Sequence, residues 1–262
     1  MEFKTIILEK GEGVGRIILN RPDAMNAMNP EMLRELEIAQ KDLMDDGDIR
    51  VVIVTGQGRA FCSGADFGLI SRLQGLGPKE LFQELRYIQD VITVFETMEK
   101  PVIASINGYA LGGGMDMVLA CDFRIAAKGA KLCEQYINVG LLPDVGGTQR
   151  LSRLVGLAKA KEMIFLGDMV DADEAERIGL VNRVVPGEDL EAETRAFALR
   201  LAAAPTVAVG LAKKAIHEGL SRDIRSGLEI EAHCQTFAMQ TSDAREGLSA
   251  VQNKRAPHFL GK

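Results

Sequence analysis

Residues 101–120, PVIASINGYALGGGMDMVLA, constrain the rest of this chain more than any other stretch. The apolar run Val102, Ile103, Ala104 and Ile106 predicts a buried strand, Asn107-Gly108 its exit turn, and residues 115–120 a helix start behind three glycines. That order puts bare backbone at the mouth of a helix. First-turn amides have no carbonyl partner within their own helix, and the peptide dipoles add partial positive charge there. Such a place either binds a phosphate or stabilises an oxygen that becomes negative during a reaction. Asp116, the first carboxylate after the glycines, is read either as a cap that compensates the dipole or as a reacting acid.

A second stretch repeats this logic. Residues 51–55 read as a short buried strand, closed by Gly56 and Gly58 and followed by AFCSGAD, with Asp66 starting a helix. Two loops of this kind can aim their amides at one oxygen atom, although small residues also serve simply to make tight turns.

The remaining pattern places these loops in an α/β domain. Residues 3–8 and 15–20 predict two strands. Gly11, Gly13 and Gly15 precede a strand and open no helix, so they predict a hairpin turn and not a dinucleotide loop. Asn29 and Pro30 predict the cap and first turn of a helix to about Asp45, with Leu33, Leu36, Ala39 and Leu43 facing inward. Residues 79–98 predict an amphipathic helix with a stripe of Leu81, Leu85, Ile88, Ile92 and Phe95, and the glycine-rich segment 68–78 before it predicts a mobile cover for a pocket. Strands are expected at 123–126, 131–137 and 180–185. A loop carrying Asp144 is expected at 140–147, with helices after it, one of them starting at Asp171. From about Gly187 the pattern is helical, interrupted by Pro205, Gly219 and Gly227. Strand-then-helix units followed by a helical tail predict a core over 1–200 and an oligomerisation region over 201–262.

Composition narrows the function classes. A chain of 262 residues, 47% hydrophobic, is long enough for a full core, and its net charge of −6 gives no basic footprint for nucleic acid. Cys62, Cys121, Cys133 and Cys234 have no CxxC spacing, and His217, His233 and His258 do not pair at ligand spacing, so no metal and no disulfide framework is expected. With no apolar run of membrane length and no basic-apolar leader, the expectation is a cytoplasmic protein without a membrane partner.

Five motifs, in order, carry a family resemblance: RPDAMNAMN, GRAFCSGADF, KPVIASINGYALGGGMDMVLACDFRIAA, GLLPDVGGTQRLSRLVG and RIGLVNRVV. Together they resemble the crotonase superfamily, the enoyl-CoA hydratase/isomerase proteins, over essentially the whole chain. The resemblance implies a spiral of repeated ββα units with C-terminal helices that build a homotrimer or homohexamer. It also implies an acyl-CoA thioester substrate, with coenzyme A as part of that substrate and no separate cofactor. The thioester oxygen would be held by the amides of Ser63 and Gly113, beside Gly112. Two such donors would each contribute about 3 kcal/mol to a developing enolate. Coenzyme A would run past Arg21 and the backbone of Ala24, Ala27, Ala60, Gly64, Ala65 and Asp66.

The departures from that family are informative. A hydratase of this family has two glutamates that hold one water; the first is matched here by Asp116, and the second by Tyr136, which carries no carboxylate. A carboxyl group with a pKa near about 4, raised by burial, can exchange a proton at neutral pH, whereas a phenol near about 10 mostly donates a hydrogen bond. Tyr136 therefore reads as a group that positions water or substrate, or that fills the pocket wall. Asp144 stands where dienoyl-CoA isomerases and some ring-processing members carry a catalytic aspartate, and it is a candidate for the missing acid. Glu134, two residues before Tyr136, alternates to the same strand face as Tyr136 and is expected to reach the pocket if the strand is irregular. The expected activity is hydration or double-bond shift of an unsaturated acyl-CoA, with cyclic and conjugated acyl groups among the candidates. Nucleophilic attack by Asp144, as in the family's dehalogenase, and a non-catalytic thioester-binding protein are the alternatives.

Overall fold

The structure is a computed structural model that describes residues 3–262. Its organising unit is a chain segment that gives one strand to each of two sheets and then a helix. Strands β1 (Ile6–Gly11) and β2 (Val14–Leu19) form the expected antiparallel hairpin, turning at Glu12 and Gly13, both with left-handed φ. The helix α1 (Pro30–Asp45) follows, its first turn capped by the Asn29 side chain, which accepts from the Met32 amide; Leu33, Leu36, Ala39 and Leu43 are buried along its inner stripe.

Three repeats then build the body. The first comprises β3 (Val51–Gly56), β4 (Ala60–Cys62) and the helices α2 (Phe67–Gln74) and α3 (Pro78–Thr97). The second is β5 (Val102–Ile106), β6 (Tyr109–Leu111) and α4 (Gly113–Ala120). The third is β7 (Phe123–Ala127) and β8 (Lys131–Cys133), followed by α5 (Gly147–Val155) and α6 (Leu157–Leu166). Short elements close it: β9 (Val170–Asp171), α7 (Ala172–Arg177) and β10 (Arg183–Val185). The larger sheet runs β1-β2-β3-β5-β7-β10 and is parallel from β2 onward; the smaller runs β4-β6-β8-β9, with only β9 antiparallel. Strands β3 and β5 are covered on both faces, which is why they read as unbroken apolar runs. The spiral of ββα units is therefore present.

The tail is helical, as expected: α8 (Leu190–Ala202), α9 (Thr206–Gly219), α10 (Ile224–Ala238) and α11 (Ser242–Gln252). Helix α8 belongs to the body, because Leu190, Ala198 and Ala202 pack with Val51, Ile53 and Ile103. Among the described residues no single helix is long and apolar enough to cross a membrane.

Four expectations need correction. Segment 68–78 is mostly helical, because the Asp66 side chain caps α2 through the Leu69 amide and one internal glycine costs only about 1 kcal/mol. Strand β8 stops at Cys133, not at Ile137; residues 135–139 form a 3-10 turn ended by Gly140. Helix α4 starts two residues earlier than expected, at Gly113, so two of the three glycines lie in its first turn. Gly227 is inside α10, and the break falls at 220–223, where the Asp223 side chain caps the next helix. The short strands β6 and β9 carry too few residues to show an alternation and were not expected.

Candidate active site

The two glycine-bearing loops meet. Gly114, in the first turn of α4, lies so close to β4 that a methyl group there would overlap the Cys62 carbonyl, and only glycine permits this approach. Gly112 enters the helix with φ +51° and ψ −124°, a region that excludes other residues, while its amide donates to Cys133 on β8 and its carbonyl accepts from Asp116.

Hydrogen bonding decides which amides remain for a ligand. The Ser63 amide donates to the Met25 carbonyl at 3.1 Å, so it is already occupied, and the expectation that Ser63 supplies a donor is corrected. Two residues on, the Asp66 amide donates to Met28, and the Met28 amide donates to Gly64. Successive strand amides point to opposite sides, so the Ala65 N–H between them faces away from Met28. Among the described residues neither the Ala65 N–H nor the Gly113 N–H has an acceptor. Gly64 sits beside the second of them: a Cβ placed on it would lie 3.4 Å from the Gly113 nitrogen.

The residues expected along the coenzyme stand together on these loops, but most are engaged with one another. The Ala60 carbonyl accepts from Asn26 and Asn107, the Ala27 carbonyl from Arg21, and the Ala24 carbonyl from the Ala27 amide and the Ser63 hydroxyl. Arg21 also pairs with Asp66 at 3.1 Å. Asn26, fully buried and with positive φ, ties the 20–28 loop to β4 by donating to Gln57 and Ala60, and the sequence pattern does not announce it.

Behind the amides lies an acidic cluster. Asp116 is fully buried in α4, and the Tyr136 hydroxyl donates to its Oδ2 at 2.5 Å. Burial pushes the Asp116 carboxyl up to about 7; the nearby Asp144 adds to the rise, while the Tyr136 hydrogen bond and Arg150 oppose it. Asp144 is half-buried, and burial raises it too, against hydrogen bonding from Tyr136. The Tyr136 phenol, enclosed among Asp116, Asp144 and Glu134, is held well above its usual value by burial first and these charges second. Asp116, Tyr136 and Asp144 thus converge, as expected. Glu134 joins them, the chain leaving the strand just before it as that reading requires: it is fully buried and raised well above the usual carboxylate range by burial, Asp116 and Asp144. The alternation pairs it with Tyr136, but the early end of β8 on which its entry depends is not visible as a break in the apolar pattern.

Arg150 fixes the loop that carries Asp144. Its guanidinium donates to the Val145 carbonyl at 2.9 Å, to Thr93 at 3.0 Å and twice to Glu96, at 2.8 and 2.6 Å, and Gln89 donates to the Asp144 carbonyl at 2.6 Å. Glu96 also faces His217 of α9 at 3.3 Å, and a cleft of about 420 Å³ opens between these groups. Among the described residues no group of three or more potential metal ligands is assembled.

Similarity to known proteins agrees with this arrangement. The family model described as enoyl-CoA hydratase/isomerase matches residues 9–262. A crotonyl-CoA hydratase of Syntrophomonas wolfei is 42% identical over 263 residues, covering 100% of both chains, and a short-chain-enoyl-CoA hydratase of Clostridium acetobutylicum is 37% identical, covering 97% of each. The crystal structure of an enoyl-CoA hydratase from Bacillus anthracis superimposes with a TM-score of 0.92 at 38% identity, covering 99% of this chain and 100% of that one. The chain belongs to the enoyl-CoA hydratase/isomerase family of enzymes.

Proposed function

We propose that this enzyme adds water across the double bond of a 2-enoyl-CoA thioester, through an enolate whose oxygen accepts from the N–H groups of Ala65 and Gly113. The observation that carries this reading is the pair of main-chain donors without acceptors, one from each loop, at the mouth of α4 beside buried Asp116. As the hydroxyl of water joins the β carbon, electrons move onto the thioester oxygen, where two fixed donors stabilise the charge better than they stabilise the neutral carbonyl. Asp116 and Asp144 divide the proton work. One carboxylate takes the proton of the attacking water, and the other, protonated, delivers one to the α carbon; a carboxyl that titrates at about 7 serves in either sense at neutral pH. Tyr136, which bears on both, keeps them apart and oriented. The same groups without water would move a double bond by taking a proton at one carbon and returning it at another.

Arg21, Ala24, Ala27, Ala60, Gly64 and Asp66 form the wall along which coenzyme A would lie, with Arg21 holding that wall together through Ala27 and Asp66. The C-terminal region 201–262 is proposed to pack against other copies, supported by the outward-facing Ile224, Leu228, Phe237, Leu248 and Val251 on α10 and α11.

The test is hydration of crotonyl-CoA and of a cyclic dienoyl-CoA, followed by ultraviolet absorbance, with Asp116→Asn and Asp144→Asn beside the parent. Each substitution is expected to lower kcat by about 10²–10⁴-fold. No turnover of either substrate, or unchanged rates in both variants, contradicts the assignment.

A further inference from the structure

Glu134 is the one acid of the cluster with no place in the scheme above. It follows the last residue of β8, and its backbone (φ −88°, ψ 61°) turns the chain into the 3-10 segment that carries Tyr136. Its side chain has no exposed surface, and among the described residues neither of its carboxyl oxygens has a hydrogen-bond donor. The ionisable groups around it are Asp116 from α4, Asp144 from the loop before α5, Tyr136 from the 3-10 turn and Cys133 from its own strand. None of these is a cation. Arg150 bears on Asp116 and not on Glu134.

A buried carboxylate without a donor or a counter-charge takes up a proton. Once protonated it becomes a donor and needs an acceptor. Asp116 Oδ1 is likewise buried and without a partner. The two groups border the same small space, because a methyl group on Gly147 would overlap Asp116 Oδ1 and would lie 2.6 Å from Glu134 Oε1. We propose that Glu134 is a positioning residue for Asp116: it stands as the protonated member of a carboxylic acid–carboxylate pair and donates to Asp116 Oδ1 beside Gly147, while Tyr136 donates to Oδ2. One proton shared by the two acids gives a partner to Asp116 Oδ1 and to one of the two Glu134 oxygens and leaves a single negative charge on the pair. Asp116 is then gripped at both oxygens, each of which keeps a lone pair for the reacting proton. The acid missing at position 136 is thus present two residues earlier, beneath Asp116 and out of reach of solvent.

This role rests on Asp116 as the reacting acid, so the test has one arm that needs no substrate. In infrared spectra at pH 7 of protein carrying ¹³C at its glutamate carboxyl groups, an isotope-shifted protonated-carboxyl band, distinct from any aspartic acid band, is expected in the parent and absent from Glu134→Gln. In the second arm, the pH profile of kcat/KM for crotonyl-CoA is compared among the parent, Glu134→Gln and Glu134→Leu. Glutamine still donates to Asp116, so kcat and the pH of the Asp116 limb are expected to stay close to the parent's. Leucine removes a donor from the ionised carboxylate; its limb is expected to move up by about one pH unit, with kcat lowered by about tenfold or more and KM little changed. An isotope-shifted glutamic acid band that is absent from the parent, or that survives in Glu134→Gln, overturns the proposal. So does a Glu134→Gln limb that moves to lower pH, since that would mean an ionised Glu134 repelling Asp116. If crotonyl-CoA is not turned over at all, the proposed reaction fails while the infrared arm still decides whether the pair exists.

Discussion

The Tyr136 hydroxyl reaches 20 residues back along the chain to donate to Asp116 Oδ2 at 2.5 Å, which ties the 3-10 turn after β8 to the helix that carries the reacting acid. A phenol donating to a carboxylate favours its charged form, so this contact works against the burial that lifts Asp116 to about 7. Removing it in Tyr136→Phe is expected to move the Asp116 limb of the kcat/KM profile to higher pH. Rate at neutral pH should fall by about tenfold to a hundredfold, the worth of one charge-assisted hydrogen bond. A profile that stays in place would mean that Tyr136 only fills the wall.

The two main-chain donors separate cleanly by chemistry. Replacing the Ala65 amide N–H with an ester oxygen is expected to lower kcat for crotonyl-CoA hydration by about 10²–10³-fold, as loss of one oxyanion donor does. The same replacement at Ser63, whose amide serves Met25, is expected to change stability more than rate. Circular dichroism on both proteins checks that the fold is retained.

Gly147 leaves no room for a side chain. A Cβ there would lie 2.9 Å from Pro143 and press on both Asp116 and Glu134, so Gly147→Ala is expected to destabilise the fold by about 1–3 kcal/mol. By displacing Asp116 it should also lower kcat by about 100-fold, with less effect on KM. Thermal unfolding and steady-state kinetics on one preparation test both parts.

His217 gives the stability its own pH dependence. Hydrogen bonds to Asp122 and then Glu96 raise its pKa from 6.5 to about 9, and Glu96, despite burial, falls to about 2 through His217 and Arg150. A folded-state value above the unfolded one means that stabilisation is complete below about pH 6.5 and is lost as pH rises through 9. The melting temperature of the parent is therefore expected to decline across that window, and His217→Gln should flatten the decline. Equal slopes for the two proteins would refute the coupling between α9 and α3.

Much of this fold is legible in the sequence because its signals are local. The Asn29 cap, the Asp66 cap and the stripe of α1 each depend on residues a few positions apart, and each is found as read. Asp116, Tyr136 and Asp144 converge because the order of the motifs fixes their elements. What was not legible depends on contacts between segments. Whether Ser63 or Ala65 keeps a spare amide is decided by Met25 and Met28, on a different loop. Glu134 enters the cluster because β8 ends at Cys133, where the chain turns into a 3-10 segment, and alternation along an assumed strand cannot foresee that turn. The helix that Asp66 starts runs on to Gln74, an extent hidden by its internal glycine, which a good cap outweighs.

The central claim is that a thioester oxygen sits between the Ala65 and Gly113 amides, and isotope-edited infrared spectroscopy of bound enoyl-CoA labelled with ¹³C at its carbonyl reads this most directly. The carbonyl band is expected to move to lower frequency on binding to the parent protein and to the Ser63 ester variant, and to recover toward its free position in the Ala65 ester variant. An undiminished shift in the Ala65 variant, or a shift lost in the Ser63 variant alone, would contradict the account.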